Sequence, residues 1–205
     1  MTWLGRKWMP LSVLVAATAA LVASVVWTAG SAAWRPTAGT MGPGLRGEGP
    51  VRNMVDADRA AGRFAERWGL HVGEVMQFDN GFYAELVDPA GNGATEVLID
   101  PQSGAVQIEL GPAMMWNTAY GMHPARGDRT ATVGLDQARS IADQWLRDNR
   151  PGEHADQAEA FPGYYTLHTM RGDQVVSMLS VHATSGAVWY HSWHGRFLRM
   201  QEHPD

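Results

Sequence analysis

Apolar residues follow two rhythms along this chain. In "VDADRAAGRFAERW", which starts at Val55, the residues Ala57, Ala60, Phe64 and Trp68 fall on one stripe, and in "VGLDQARSIADQWL", which starts at Val133, Leu135, Ala138, Ala142 and Leu146 do the same. Spacings of three and four put them on one side of an α-helix, with the charged residues on the other. After each of these segments the rhythm shortens to two. "FYAELV", "ATEVLI" and "AVQIE" follow the first, and "YYTLHT", "VVSMLSV" and "AVWYH" follow the second. The turn signals "DPAGNG", "DPQSG", "MRGDQ" and "HATSG" separate them. The pattern predicts an α+β protein of two tandem units, each a helix packed on an antiparallel sheet of three to four strands. "VGEVMQF" is the candidate fourth strand of the first unit.

A third pattern has no polar face at all. Arg6 and Lys7 precede an uncharged apolar run from Leu11 to Ala29. A helix of that length rises about 28 Å, enough to span a bilayer. Positive charge before the span predicts an N-terminus inside and the remaining chain outside the cytoplasm. An uncleaved anchor is the expectation, with a signal peptide cleaved near the small residues Gly30 to Ala33 as the alternative. The domain partition that follows is an N-terminal anchor or signal segment at 1–34, a Gly- and Pro-rich flexible linker at 35–53, a first repeat at 54–110, a connecting segment at 111–132, a second repeat at 133–198 and a tail at 199–205.

The two units are related by an internal repeat. "SGAV" occurs at Ser103 to Val106 and again at Ser185 to Val188, a shift of 185 − 103 = 82. The same shift aligns Gly81 with Gly163, Phe82 with Tyr164, Val97 with Leu179 and Ile99 with Val181 without a gap. A helix with "A..A" spacing, then strands, then "VLIDPQSGAV" and, less faithfully, "LSVHATSGAV" resembles the PepSY module in both copies. The resemblance implies an extracytoplasmic, non-catalytic module of a kind found in membrane-tethered proteins and in propeptides of thermolysin-type metallopeptidases, with a peptidase-inhibiting or regulatory role. Copy two departs from the motif, having His182 where copy one has Asp100.

Alternation assigns faces to the strands. In copy one, Phe82, Ala84, Leu86, Val97 and Ile99 point to the helix, and Glu85, Glu96 and Glu109 form a row on the outer face. Opposed carboxylates repel by roughly 0.2–1 kcal/mol per pair unless a cation intervenes, so the row is either a solvated surface or a site for a metal ion or for Lys or Arg of a partner. Carried over by 82, the outer row of copy two becomes Leu167, Met178 and His191, with Tyr165, Trp189 and Trp193 around it, and His168 points to the helix. Such an aromatic face needs a cover, expected from the first repeat, from the connecting segment or from a separate partner.

Composition narrows the chemistry. With no cysteine, any metal must be held by His, Met or carboxylate. Histidine with thioether suits copper, which makes Met178, His182, His191 and His194, and the second cluster Met114, Met115, Met122 and His123, candidate ligands. Net charge is −5 and the basic residues are scattered, which argues against nucleic acid as a partner. No "GxSxG", "HExxH" or phosphate-cradling loop is present, so an enzyme is not expected. The leading reading is a membrane-tethered extracytoplasmic binding or regulatory protein acting on a peptidase or other envelope partner. The alternative is a copper-handling protein.

Overall fold

The first helix, α1 (Met54–Glu66), begins where Asn53 turns its side chain back onto the chain: its Oδ1 accepts from Asp56 N at 2.9 Å. That bond satisfies one of the unpaired N–H groups of the first turn. The computed structural model describes residues 44–122 and 131–202. Four strands follow α1: β2 (His71–Phe78), β3 (Gly81–Val87), β4 (Gly93–Ile99) and β5 (Val106–Ile108). A short helix, α2 (Pro112–Met115), leads to the long α3 (Leu135–Asn149) and a second meander: β6 (His154–Phe161), β7 (Tyr164–Arg171), β8 (Gln174–His182) and β9 (Val188–Tyr190). Each meander is an antiparallel sheet with a helix on one face.

Two further strands extend the first sheet, and both overturn sequence expectations. Within the segment read as a linker at 35–53, β1 (Gly44–Leu45) pairs with β5, and Val51 N donates to Pro101 O at 3.0 Å. Most of the tail at 199–205 belongs to β10 (Phe197–Glu202), which crosses back from the second unit to pair antiparallel with β2. The first sheet therefore has the order β1-β5-β4-β3-β2-β10, and the second β6-β7-β8-β9. The physical reason is that inner strands leave rows of unpaired backbone groups at a sheet edge, and neighbouring chain of unremarkable composition can satisfy them. β6 was also missed, because its burial pattern is mostly exposed and its sequence, "HADQAEAF", is largely polar.

One core lies between α1 and the first sheet, where Ala57, Ala60 and Phe64 meet Phe82, Leu86, Val97 and Ile99. The other lies between α3 and the second sheet, where Ala138, Ala142 and Leu146 meet Tyr165, Leu167, Leu179 and Val181. Tyr165 and Leu167 are thus core residues, not members of an outer face. The cause is one residue of register. Phe82 pairs with Ile99, and the equivalent pair in copy two is Tyr165 with Val181, so β7 is displaced by 165 − 82 = 83 while β8 keeps 181 − 99 = 82. With a side-chain period of two, a slip of one exchanges the faces of β7. His168 accordingly points away from α3.

The "SGAV" turns are built alike around different tethers. Asp100 Oδ1 accepts from Ser103 N at 2.7 Å and Ser103 Oγ at 2.6 Å; His182 Nδ1 accepts from Ser185 N at 3.2 Å and meets Ser185 Oγ at 2.7 Å. Gly104 and Gly186 follow, each at φ +69°, a left-handed conformation that favours glycine.

Among the described residues no helix is long and apolar enough to cross a membrane, and the apolar run at 11–29 lies outside them. Replacing Asn53 by Ala is expected to lower stability by about 1 kcal/mol and Asn53→Asp by much less. Thermal unfolding of the two variants checks this.

Candidate intersheet site

The faces of the two sheets that do not meet helices carry an unusual set of side chains. On the first sheet, Glu85 pairs across strands with Glu96, and Glu109 N donates to Glu96 O at 2.8 Å, so the three carboxylates form the row that alternation predicts. The row is not solvated: Glu85 is 9% exposed, and Glu96 and Glu109 are 0% exposed. On the second sheet the matching row is His168, Met178 and His191, because His168 pairs with Met178 and His191 N donates to Met178 O at 3.0 Å. The carboxylates of one sheet meet the histidines of the other. Among the described residues, His168 Nε2 lies 3.3 Å from Glu74 Oε1, His191 Nδ1 lies 3.5 Å from Glu109 Oε1, and His194 Nε2 lies 2.6 Å from the same oxygen.

The Glu109 end is the most enclosed. Trp193 Nε1 donates to Glu109 Oε1 at 3.1 Å, and His191 Nε2 is held by Ser180 Oγ at 2.9 Å, which in turn meets Thr166 Oγ1 at 2.9 Å. Tyr83 Oη donates to Glu96 Oε1 at 2.8 Å. The His194 ring leans on Phe78 at 4.2 Å and His191 stacks on Trp193 at 4.7 Å between ring centroids. The turn carrying His194 is pinned to the first unit, with Asn80 Nδ2 donating to Trp193 O and Gly195 N donating to Asn80 Oδ1, both at 2.9 Å. Burial would raise the Glu109 carboxyl, but the charge and hydrogen bonds of His191 and His194 outweigh it and hold it at about 2. Glu96, buried beside that negative charge, is pushed up to about 7.

At the other end the layer opens into a cleft of about 390 Å³ lined by Glu74, Glu85, Glu159 and Glu202, with Gly73 and Gly93 at its walls. Burial, then the charges of Glu159, Glu96 and Glu74, push the Glu85 carboxyl up to about 9. Glu159 is likewise raised, by burial and by Glu74. His168 sits above its ordinary range: burial pulls it down, but the hydrogen bond and charge of Glu74, with those of Glu159 and Asp156, prevail.

Of the residues expected to present a partner surface, Glu85, Glu96, Glu109 and His191 are therefore enclosed between the sheets, and Tyr165 is in the second core with its Oη donating to Val133 O at 2.6 Å. Trp189, 38% exposed, and half-buried Trp193 rest against Gly111 at the start of the connecting segment, and Trp116 covers Trp189 edge-on. Of the expected metal ligands, His191 and His194 come together with Glu109, and Met178 lies buried beside His191 in the sheet. His182 ties its turn and contacts the Trp116 ring. Met114 packs on the first core, Met115 and Met122 are exposed, and His123 lies outside the described residues. Glu74, Glu159 and Ser180 were overlooked. A polar residue inside an otherwise apolar strand, as Glu74 is in "VGEVMQF", was the available signal.

No family model matches the chain, and no curated protein matches it. Among solved structures, the Bacillus megaterium YpeB C-terminal domain aligns with 69% of this chain at 12% sequence identity and a TM-score of 0.35. The chain spans 66% of that domain's length.

The cleft makes a signed prediction. Glu85, Glu159 and His168 all bind protons more tightly folded than unfolded, so their contribution is fully present below their unfolded values and is lost as pH rises through the folded ones. The melting temperature is expected to fall by more than about 4 °C between pH 5 and pH 8.5. Glu85→Gln should remove much of that fall, as read by calorimetry at both pH values.

Proposed function

We propose that this chain is a non-catalytic regulatory module of the PepSY type, tethered outside the cytoplasm by its N-terminal segment, and that it engages a basic segment of an envelope partner such as a peptidase. The observation that carries the reading is the cleft at the rim of the intersheet layer. It brings four carboxylates, Glu74, Glu85, Glu159 and Glu202, to one opening with no Lys or Arg among its lining residues. A lysine or arginine entering there would meet carboxylates held close together, and each would gain charge-assisted hydrogen bonds. A proton on Glu85 relieves the repulsion in the free protein, and a cationic side chain would take over that role.

The address rests on the cationic start and apolar run of the sequence. The non-catalytic reading is supported by how the reactive groups are used. Ser180, His191 and Glu109 line up as hydroxyl, imidazole and carboxylate, an arrangement that on an open surface would suggest a nucleophile. Here Ser180 and His191 are both 0% exposed, and the Ser180 hydroxyl is shared with Thr166, which supports a structural use of these groups.

Crosslinking in intact cells followed by purification of the full chain from solubilised membranes is the test. A defined partner should be recovered with the native chain and lost with the Glu85→Gln, Glu159→Gln double variant. Equal recovery with both, no recovery with either, or turnover of peptide substrates by the purified chain would overturn the reading.

A further inference from the structure

We propose that Glu109, His191 and His194 bind a single divalent cation of the zinc class between the two sheets, at the end of the polar layer away from the acidic cleft. The inference is independent of the regulatory reading above. These residues bring one carboxylate oxygen and two imidazole nitrogens within 4.8 Å of one another. His191 Nδ1 stands 3.5 Å from Glu109 Oε1, close to the ligand-to-ligand spacing of a tetrahedral ion with bonds of about 2.1 Å. His194 Nε2, at 2.6 Å from the same oxygen, would have to move away by only about 1 Å to reach that spacing.

A second observation points to a ligand. Glu109 Oε2 is buried without a hydrogen-bond partner, and His191 Nδ1 has only the long 3.5 Å contact to Glu109 Oε1; both residues are 0% exposed. Buried polar atoms are nearly always paired, and leaving one bare costs about 1–3 kcal/mol. One bare oxygen and one nitrogen held only by a long contact, on residues that already face each other, mark a place where a bond is missing. A cation held by the Glu109 carboxylate and by Nδ1 would answer both.

The surroundings are those of a supported metal site. Ser180 Oγ holds the far nitrogen of His191 at 2.9 Å and is itself held by Thr166, which leaves Nδ1 directed at Glu109. Trp193 Nε1 fixes the carboxylate from outside at 3.1 Å. Such outer contacts orient ligands and set the nitrogen that coordinates. Glu96, next along the row, adds a second buried carboxylate that a divalent charge would neutralise. Two imidazoles with a carboxylate suit a borderline ion such as Zn²⁺ better than soft Cu(I), which the histidine and methionine pattern had suggested, or hard Ca²⁺. His194 sits in the turn between β9 and β10, where Ser192 is exposed, so a small opening of that turn gives entry.

The full chain, stripped with chelator and titrated with Zn²⁺ alone, tests this by calorimetry and metal counting. One ion per chain is expected, with a raised melting temperature. His191→Ala and His194→Ala should weaken binding by more than about 100-fold and Ser180→Ala by roughly 10- to 100-fold, the range for lost outer contacts. His182→Ala should leave it unchanged. Absence of saturable Zn²⁺ binding, binding that survives both ligand variants, or Cu(I) binding without Zn²⁺ binding would overturn the proposal. Where an alanine variant fails to fold, Co²⁺ added to the native chain decides: the visible bands of a tetrahedral site support it, and the spectrum of the aqueous ion overturns it.

Discussion

The structure depends on the burial of carboxylates. Glu96 and Glu109 sit side by side on one sheet with no exposed surface, and a charge in that position is tolerable only if something of opposite sign, or a proton, comes to meet it. His191 does so for Glu109, joined by a hydrogen bond from His194, whose own value burial lowers, and His168 does so for Glu74. Ion pairs and hydrogen bonds thus cross directly from the second sheet to the first. A hydrophobic interface would tolerate sliding, whereas a row of Glu facing a row of His and Met matches in one alignment.

The rest of the chain secures that alignment. β10 joins the far edge of the first sheet after the polypeptide has completed the second, and the turn before it is bonded to Asp79 and Asn80. Trp193 and Trp189 wedge against Gly111, where an added Cβ would meet the Trp193 ring at 2.9 Å. The opposite rim is looser. There the carboxyl groups of Glu85 and Glu159 share a cleft, Glu85 staying protonated at neutral pH and Glu159 raised from its ordinary range by burial and by Glu74, which makes the layer closed at its histidine end and open at its acidic end. One layer therefore offers two chemistries, an enclosed donor set and an accessible opening lined by carboxyl groups.

Much of this was legible in the chain. The stripe Ala57, Ala60, Phe64 declares α1, and the alternation of Phe82, Ala84, Leu86 against Tyr83, Glu85, Val87 declares which face of β3 is core. The carboxylate row follows from the same alternation once the hairpins are closed, and Glu85 does pair with Glu96. The site was only half legible. His191 and His194 were visible as candidates, but their partner Glu109 was assigned to a different surface, since nothing local relates residues more than eighty positions apart. The tandem copies even misled, because a shift that is right for β8 is wrong by one for β7.

The sequence by itself determined the local elements: two amphipathic helices, two antiparallel meanders, paired turns stabilised by Asp100 or His182 with a left-handed glycine, and a row of glutamates on the face away from the helix. These depend on near-neighbour periodicity and turn chemistry, which a linear pattern carries in full. Only the tertiary structure decided that His168 and not Leu167 faces those glutamates, that the two rows meet in a buried layer, and that β10 returns to close the first sheet. The reason is physical. Strand register has a period of two, so a single residue absorbed between strands reverses which side chains point outward, and the outcome is tied to which face of the strand is buried against the helix, here the one carrying Tyr165 and Leu167.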